Sequence, residues 1–375
     1  MSATDQPTHP HPAATHPAVS SSSPASTLPS DSPSGPTASR SQASPPQQRP
    51  QRTVSRRRRL TQLLLLALLL LAQLPLAAFL FGRSLLFHPT QTTERELLAF
   101  SEREPNWRVD LVAFDDGTAR VGLVRTPITL RDRPNQAFAT ESRSGLQPPA
   151  FPESADRQPR RLDGQATASP PWVIFFAGNA MSLLDSAALL DDWLPPQVGA
   201  AVWAYRGYDG SAGSPSIDGL VEDGPALTRH LLSNYDVDPR RLALTGFSIG
   251  TGVATATAAE LADGPNQPAG LLLFAPYLSL QQLASDYLFG APIGWSMRDQ
   301  LDQAADLRSV VEAQIPVFVA HGVEDPLIPV AHADQLASLA EAAGQLVAYR
   351  RIEGIGHVGH LWAPDDRAAS LEFLS

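Results

Sequence analysis

Arg241-Leu242-Ala243-Leu244-Thr245-Gly246-Phe247-Ser248-Ile249-Gly250, continued by the small-residue run Thr251 to Ala259, decides how this chain folds. The first five residues are an apolar run of strand length. The small-residue run has the length of a helix start. Between them lies Gly-x-Ser-x-Gly. The order is therefore strand, sharp turn, helix. Glycine stands on both sides because such a turn is strained and crowded, and a Cβ there would clash. The turn lifts the Ser248 hydroxyl out of the sheet edge, where a base can reach it.

Working outward, strand-length apolar runs recur at Trp172–Phe176, Ala200–Ala204, Leu242–Thr245, Leu271–Phe274, Val317–Ala320 and Leu346–Tyr349. Helix-length segments lie among them at Ser182–Trp193, Ile217–Leu232, Ile249–Leu261, Ala331–Ala343 and Asp366–Leu374. Apolar strands alternating with helices predict a mainly parallel α/β sheet with helices on both faces. Ligands of such sheets sit beyond the carboxyl ends of the strands. Upstream, Val109 to Thr126 reads as a hairpin about Asp115-Asp116-Gly117. Residues 128–170 lose periodicity and read as a surface insertion. Residues 277–310, with Tyr277, Tyr287, Phe289 and Trp295, are the candidate cap over a site.

A serine hydroxyl is a weak nucleophile at neutral pH. It needs a base within hydrogen-bond reach and a third group to orient that base. Two short loops follow strand-like runs downstream of Ser248. The first is His321-Gly322-Val323-Glu324-Asp325-Pro326-Leu327-Ile328-Pro329, and the second is Gly354-Ile355-Gly356-His357-Val358-Gly359-His360. Asp325 is the candidate acid and Glu324 its neighbouring rival. The bland role for Asp325 is a turn or helix-cap aspartate. His357 is the candidate base, flanked by glycines that permit a tight loop; His360 is its rival. His321, on the strand side of Gly322, is expected to prop the acid loop. A developing oxyanion needs backbone N–H donors. Ile249, next to the nucleophile, is one candidate. Asn179, in the turn Ala177-Gly178-Asn179-Ala180 after the first strand of the parallel set, is the other. Two nearby histidines without a third ligand motif are a poor metal site, so neither metal nor cofactor is expected. The chain has no cysteine, which excludes disulfides, thiolate catalysis and palmitoyl anchoring.

The first 59 residues are a Pro, Ser, Thr and Gln-rich tail that cannot bury enough surface to order itself, although a proline-rich docking tail is the other reading. Arg56-Arg57-Arg58-Arg59 ends it. Residues 60–81 then run uncharged, mostly Leu, Ala and Phe, with Pro75 inside. At 1.5 Å per residue that length spans a bilayer. The run shows no polar face, as a core helix would. A cleaved signal peptide is the competing reading, against which the long tail and the lack of a small-x-small site both count. Six arginines (Arg49, Arg52 and Arg56 to Arg59) lie just before the span, while Arg83 and Arg95 follow it. The positive-inside rule then predicts a cytoplasmic tail and an extracytoplasmic remainder, periplasmic in a bacterium. The whole chain has 28 basic residues against 38 acidic ones, and the basic ones are all arginine. Beyond the arginine cluster the balance is clearly acidic, so no nucleic-acid partner is expected.

With these residues in hand, the chain over roughly 85–375 resembles the α/β-hydrolase superfamily. More narrowly it is similar to the membrane-anchored serine hydrolases that include alpha/beta hydrolase domain-containing proteins 12, 13 and 17 and their bacterial relatives. Four landmarks carry the resemblance: Gly178-Asn179-Ala180; Tyr205-Arg206-Gly207-Tyr208 running on to Ser216; Gly246 to Gly250; and the two loops holding Asp325 and His357. Their order along the chain, Ser, Asp, His, is that of the superfamily. The resemblance implies hydrolysis of esters or thioesters of acyl lipids or acylated proteins. It also implies that the Tyr-Arg-Gly-Tyr loop shapes the site without taking part in the chemistry. Two positions depart from the family: Ala177 stands where it has His, and Asp209 where it usually has Gly. The same triad would serve a serine peptidase, and a scaffold without catalysis could keep the fold.

Overall fold

The computed structural model describes residues 56–128, 169–287, 296–297, 299–359 and 364–374. Most of the expected tail (1–55), most of the expected insertion (129–168), residues 288–295 of the expected cap and His360 lie outside the described residues.

The hairpin expected over Val109 to Thr126 forms β1 (Trp107–Ala113) and β2 (Ala119–Arg125). The alternating region supplies β3 (Trp172–Phe176), β4 (Gly199–Trp203), β5 (Leu242–Phe247), β6 (Gly270–Phe274), β7 (Val317–Gly322) and β8 (Leu346–Ile352). Among the described residues they make one eight-stranded sheet in the order β1-β2-β4-β3-β5-β6-β7-β8. β1–β2 and β2–β4 pair antiparallel, and every pair from β4 to β8 is parallel. β3, β4, β5, β6 and β7 are buried along their whole length. That is why they read as continuous apolar runs and not as alternating ones. β8, at the edge, is only partly buried.

The helices between the strands are α3 (Leu183–Trp193), α4 (Ile217–Asn234), α5 (Ile249–Leu261), α8 (Ala331–Ala342) and, after the last strand, α9 (Pro364–Leu374). α3 starts on a capping box in which the Ser182 hydroxyl accepts from the Asp185 N–H and the Asp185 carboxylate accepts from Ser182. α5 is buried on nearly all sides, which explains its small residues.

Two more helices fall inside the expected cap. α6 (Leu280–Tyr287) lies in the excursion between β6 and β7. The stretch from 303 onward does not. Gln303–Glu312 is α7, which packs on α5 in the crossover from β6 to β7. Its anchor is the fully buried Gln303 amide: Oε1 accepts from the Thr251 hydroxyl at 3.1 Å and Nε2 donates to Thr255 Oγ1 at 3.0 Å. Tyr277 is likewise core, with its hydroxyl donating to the Ile249 carbonyl at 3.4 Å. These residues read as cap because a buried amide looks polar in sequence until its partners are known.

Ahead of the sheet lie α1 (Arg56–Leu86) and the short α2 (Glu94–Arg103), which opens on a Thr93/Glu96 capping box. The expected span at 60–81 falls within α1. Among the described residues no helix is long and apolar enough to cross a membrane. The side chains of residues 72 and 74–82 lie outside that description.

Candidate active site

β5 ends in the turn that carries Ser248. Its backbone has φ 54° and ψ −122°, the left-handed side that costs a non-glycine residue roughly 1–3 kcal/mol. The Ser248 N–H donates to the Phe274 carbonyl of β6 at 2.9 Å, which holds the strained residue against the next strand. Gly250 is required by close approach: a Cβ there would overlap the carbonyl oxygens of Phe176 and Ala177 at the end of β3. The serine turn and the loop after β3 are thus pressed together.

β7 delivers the acid loop. The Asp325 side chain is fully buried, and both of its oxygens are used. Oδ1 accepts from the backbone N–H groups of Leu327 (2.7 Å) and Ile328 (2.9 Å). Oδ2 faces His357 Nδ1 at 2.7 Å and His321 Nε2 at 3.4 Å. Burial by itself would raise this carboxyl. The hydrogen bonds from His321, His357 and the Ile328 N–H outweigh it and hold Asp325 well below the ordinary carboxylate range. His321 is fully buried and also donates from Nε2 to the Ile328 carbonyl at 2.9 Å, so it props the loop from beneath. Glu324 is exposed. Its carboxylate accepts the Ile355 N–H at 3.0 Å and ties the acid loop to the histidine loop.

The loop after β8 carries His357. Asp325 can only accept, so His357 Nδ1 carries the proton and Nε2 is left free to accept. Nε2 lies 3.0 Å from Ser248 Oγ. The imidazole packs on the Phe247 ring, with centroids 5.1 Å apart, and its side chain is 12% exposed. Serine, histidine and aspartate therefore meet at the carboxyl ends of β5, β7 and β8, with the histidine in the tautomer that can take the serine proton.

The loop after β3 lies beside this group, because β3 pairs with β5 in the register Phe176 to Gly246. Among the described residues neither the Asn179 nor the Ile249 backbone N–H donates a hydrogen bond. Both remain available to an anionic oxygen. Among the described residues no cluster of three potential metal ligands occurs.

The profile of a family described as alpha/beta hydrolase fold matches residues 214–361. Over 189 residues the chain is 30% identical to an uncharacterized protein of Mycobacterium tuberculosis, covering 50% of this chain and 63% of the relative. It is 29% identical over 153 residues to the lysophosphatidylserine lipase ABHD12 of Danio rerio, covering 38% of this chain and 39% of that protein. The chain thus spans under two thirds of the length of these curated relatives. An esterase of Pyrococcus furiosus superposes with a TM-score of 0.51 at 14% identity, over 77% of this chain and 96% of that one. The chain has an α/β-hydrolase fold.

Within that fold the two departures take on physical meaning. The chain keeps the loop after β3 in place without a histidine at 177, because the Tyr205 hydroxyl donates to the Ala177 carbonyl at 2.8 Å. Burial raises the Tyr205 phenol far above its ordinary range, so the donor stays protonated. Asp209 adopts φ 40° and is buried. Its carboxylate accepts the Leu183 N–H at the start of α3 (2.7 Å) and the Thr92 N–H (2.7 Å), bonds a glycine could not offer. The Tyr-Arg-Gly-Tyr loop is fixed by Arg206, which grips Asp223 of α4 with Nε at 2.9 Å and Nη2 at 2.8 Å. Asp223 is gripped from the other side by the buried Arg120 of β2 at 2.6 and 3.1 Å. Sequence reasoning missed Arg120, Asp223 and the side-chain role of Asn179. The Arg120–Asp223 pair is 103 residues apart and bears no local signature.

Proposed function

We propose that this chain is a serine hydrolase of carboxylic esters or thioesters, acting on acyl lipids or acylated substrates through an acyl-enzyme on Ser248. The observation that carries the reading is the unbroken relay Ser248 Oγ to His357 Nε2 at 3.0 Å and His357 Nδ1 to Asp325 at 2.7 Å. Ser248 Oγ attacks the carbonyl carbon as His357 takes its proton. The oxyanion is held by the Asn179 and Ile249 N–H groups. Collapse breaks the ester bond, and His357 hands its proton to the leaving alcohol or thiol. Water then attacks the acyl-enzyme, giving one proton to His357; the acid leaves and the proton returns to Ser248. Asp325 stays ionised and stabilises the imidazolium. The lipase relative in Danio rerio favours an acyl-lipid substrate. So do the exposed side chains of Leu327 and Val358, in the loops that carry Asp325 and His357, and of Tyr287, whose hydroxyl donates to the Leu327 carbonyl.

We further propose that the uncharged run 60–81 tethers the protein, with its tail in the cytoplasm and the hydrolase domain across the membrane. This reading is supported by the uncharged run 60–81, by the exposed leucines 60, 63–66 and 68–71, and by the arginines before it.

The test of the chemistry is Ser248→Ala in the full chain, assayed on a p-nitrophenyl ester and a peptide anilide and probed with a fluorophosphonate. Loss of ester turnover and of labelling, with an unchanged melting temperature, is expected. Unchanged turnover rejects the assignment, faster anilide cleavage makes it a peptidase, and a wild-type chain that neither labels nor turns over is a scaffold. Protease protection of sealed vesicles reads the orientation: exposure of the hydrolase domain on the cytoplasmic side overturns it.

A further inference from the structure

The last turn of α1 and the six residues after it, Arg83 to Thr92, run beside the loop after β3. Arg83 makes a two-pronged pair with the buried Asp299, Nε to Oδ2 at 2.8 Å and Nη2 to Oδ1 at 3.0 Å. Asp299 also accepts the Ile217 N–H at the start of α4. Phe87 is buried in the core. Thr90 and Thr92 are both bonded to Asp209, through the Asp209 N–H and carboxylate. Between these two fixed ends, the segment meets Asn179.

The Asn179 side chain is almost wholly committed to it. Nδ2 donates to the Leu86 carbonyl at 2.6 Å and to His88 Nδ1 at 2.9 Å. Oδ1 accepts the His88 N–H at 2.9 Å, the Tyr208 hydroxyl at 2.9 Å and the Ala180 N–H at 3.0 Å. The orientation of the amide is fixed, since the Leu86 carbonyl can only accept and the two backbone N–H groups can only donate. Tyr208 completes the ring by accepting the His88 N–H at 3.1 Å. Burial pushes its phenol up to about 12, so it remains a donor to Asn179. The next residue, Ala180, sits at φ 58°, a strained backbone that needs outside support.

We propose that Arg83–Thr92 is a positioning strap of the active site: through the Asn179 side chain it fixes the peptide plane whose N–H faces the oxyanion. This rests on the serine-hydrolase reading above. Asn179 then has two separate duties, its main chain toward substrate and its side chain toward the strap. A loosened strap leaves the triad and the substrate cleft intact and misaims one donor. Losing a whole oxyanion donor costs roughly 10²–10³ in kcat, so misaiming one costs less, with little effect on KM. Because Leu86 is the last residue of α1, that helix and the oxyanion loop are joined with no intervening spacer.

The experiment compares Asn179→Ala, Arg83→Ala and Arg83→Lys with wild type, each as the full chain in detergent micelles, by kcat and KM on a p-nitrophenyl ester, by the rate of fluorophosphonate labelling and by thermal midpoint. Asn179→Ala is expected to lower kcat and the labelling rate together by about 10- to 100-fold, with KM within about twofold. Arg83→Ala, which touches neither triad nor Asn179, is expected to lower kcat a few-fold, with partial return in Arg83→Lys. If both alanine variants keep kcat within twofold while the thermal midpoint drops, the strap is only structural and the proposal falls. A fall in Asn179→Ala alone overturns the strap and leaves a role for Asn179 by itself. If Asn179→Ala does not fold, Arg83→Ala decides. A wild-type chain that neither labels nor turns over removes the serine-hydrolase reading, and this inference with it.

Discussion

The two halves of the candidate active site are held by different kinds of contact. The acid and histidine loops support themselves. Asp325 is bonded by residues two and three positions on, His321 reaches Ile328, and Glu324 reaches Ile355 in the neighbouring loop. The loop after β3 has almost no local support. Its partners come from Leu86 and His88, some 90 residues earlier, and from Tyr205 and Tyr208, nearly 30 residues later. Among the described residues, the local bonds within 177–181 are Met181 N–H to the Gly178 carbonyl and the Ala180 N–H to Asn179 Oδ1. The chemical groups are thus placed by short loops on rigid strand ends, and the expected electrostatic groups by long-range docking. On the proposed reading, such a site loses its oxyanion geometry more readily than its Ser248–His357–Asp325 relay.

The sharpest test of the self-supporting half is His357→Ala, expected to cut ester turnover by roughly 10³–10⁶-fold with the fold retained by circular dichroism. Asp325→Asn should follow, at about 10³–10⁴-fold, because the amide favours the wrong imidazole tautomer. Glu324→Gln should stay within a few-fold. Equal losses from the two acid-loop variants would mean that the orienting acid has been misassigned. The same carboxylate makes a stability prediction. The folded carboxyl is held below its unfolded value near 3.9, so its stabilisation is full above that pH and fades as pH falls through the folded value. Urea titrations of wild type and Asp325→Asn should therefore differ at pH 7 and converge as the pH drops below about 3.

The place where the halves touch comes next in size. Gly250→Ala forces a methyl into the Phe176 and Ala177 carbonyls and should destabilise by about 1–3 kcal/mol, lowering the melting temperature and kcat together. On the docked half, Asp223→Asn weakens the grip on two arginines, one of them buried. Breaking such a pair outright costs about 3–5 kcal/mol, and the amide should lose a part of it by chemical denaturation. Tyr208→Phe is the mildest change. It removes one hydroxyl between His88 and Asn179, and kcat is expected to fall a few-fold with KM unchanged. A larger effect on KM than on kcat would place Tyr208 in substrate binding instead.

The amino-acid sequence by itself determined whatever is written in neighbouring residues. Strand, turn and helix about Ser248 follow from an apolar run, two glycines and a small-residue stretch. The hairpin, the parallel strands and their covering helices follow from runs a few residues long. Asp325 and His357 could be picked because each sits in a loop directly after a strand. Only the tertiary structure decided which distant side chains complete these parts. It turned Gln303 from a candidate cap residue into a core anchor, gave Asp209 two backbone partners, paired Arg120 with Asp223, and attached Asn179 to the exit of α1. The reason is that a polar side chain reads the same in sequence whether water or a buried donor satisfies it. Its partner is chosen by packing across the sheet, and no spacing along the chain records that choice.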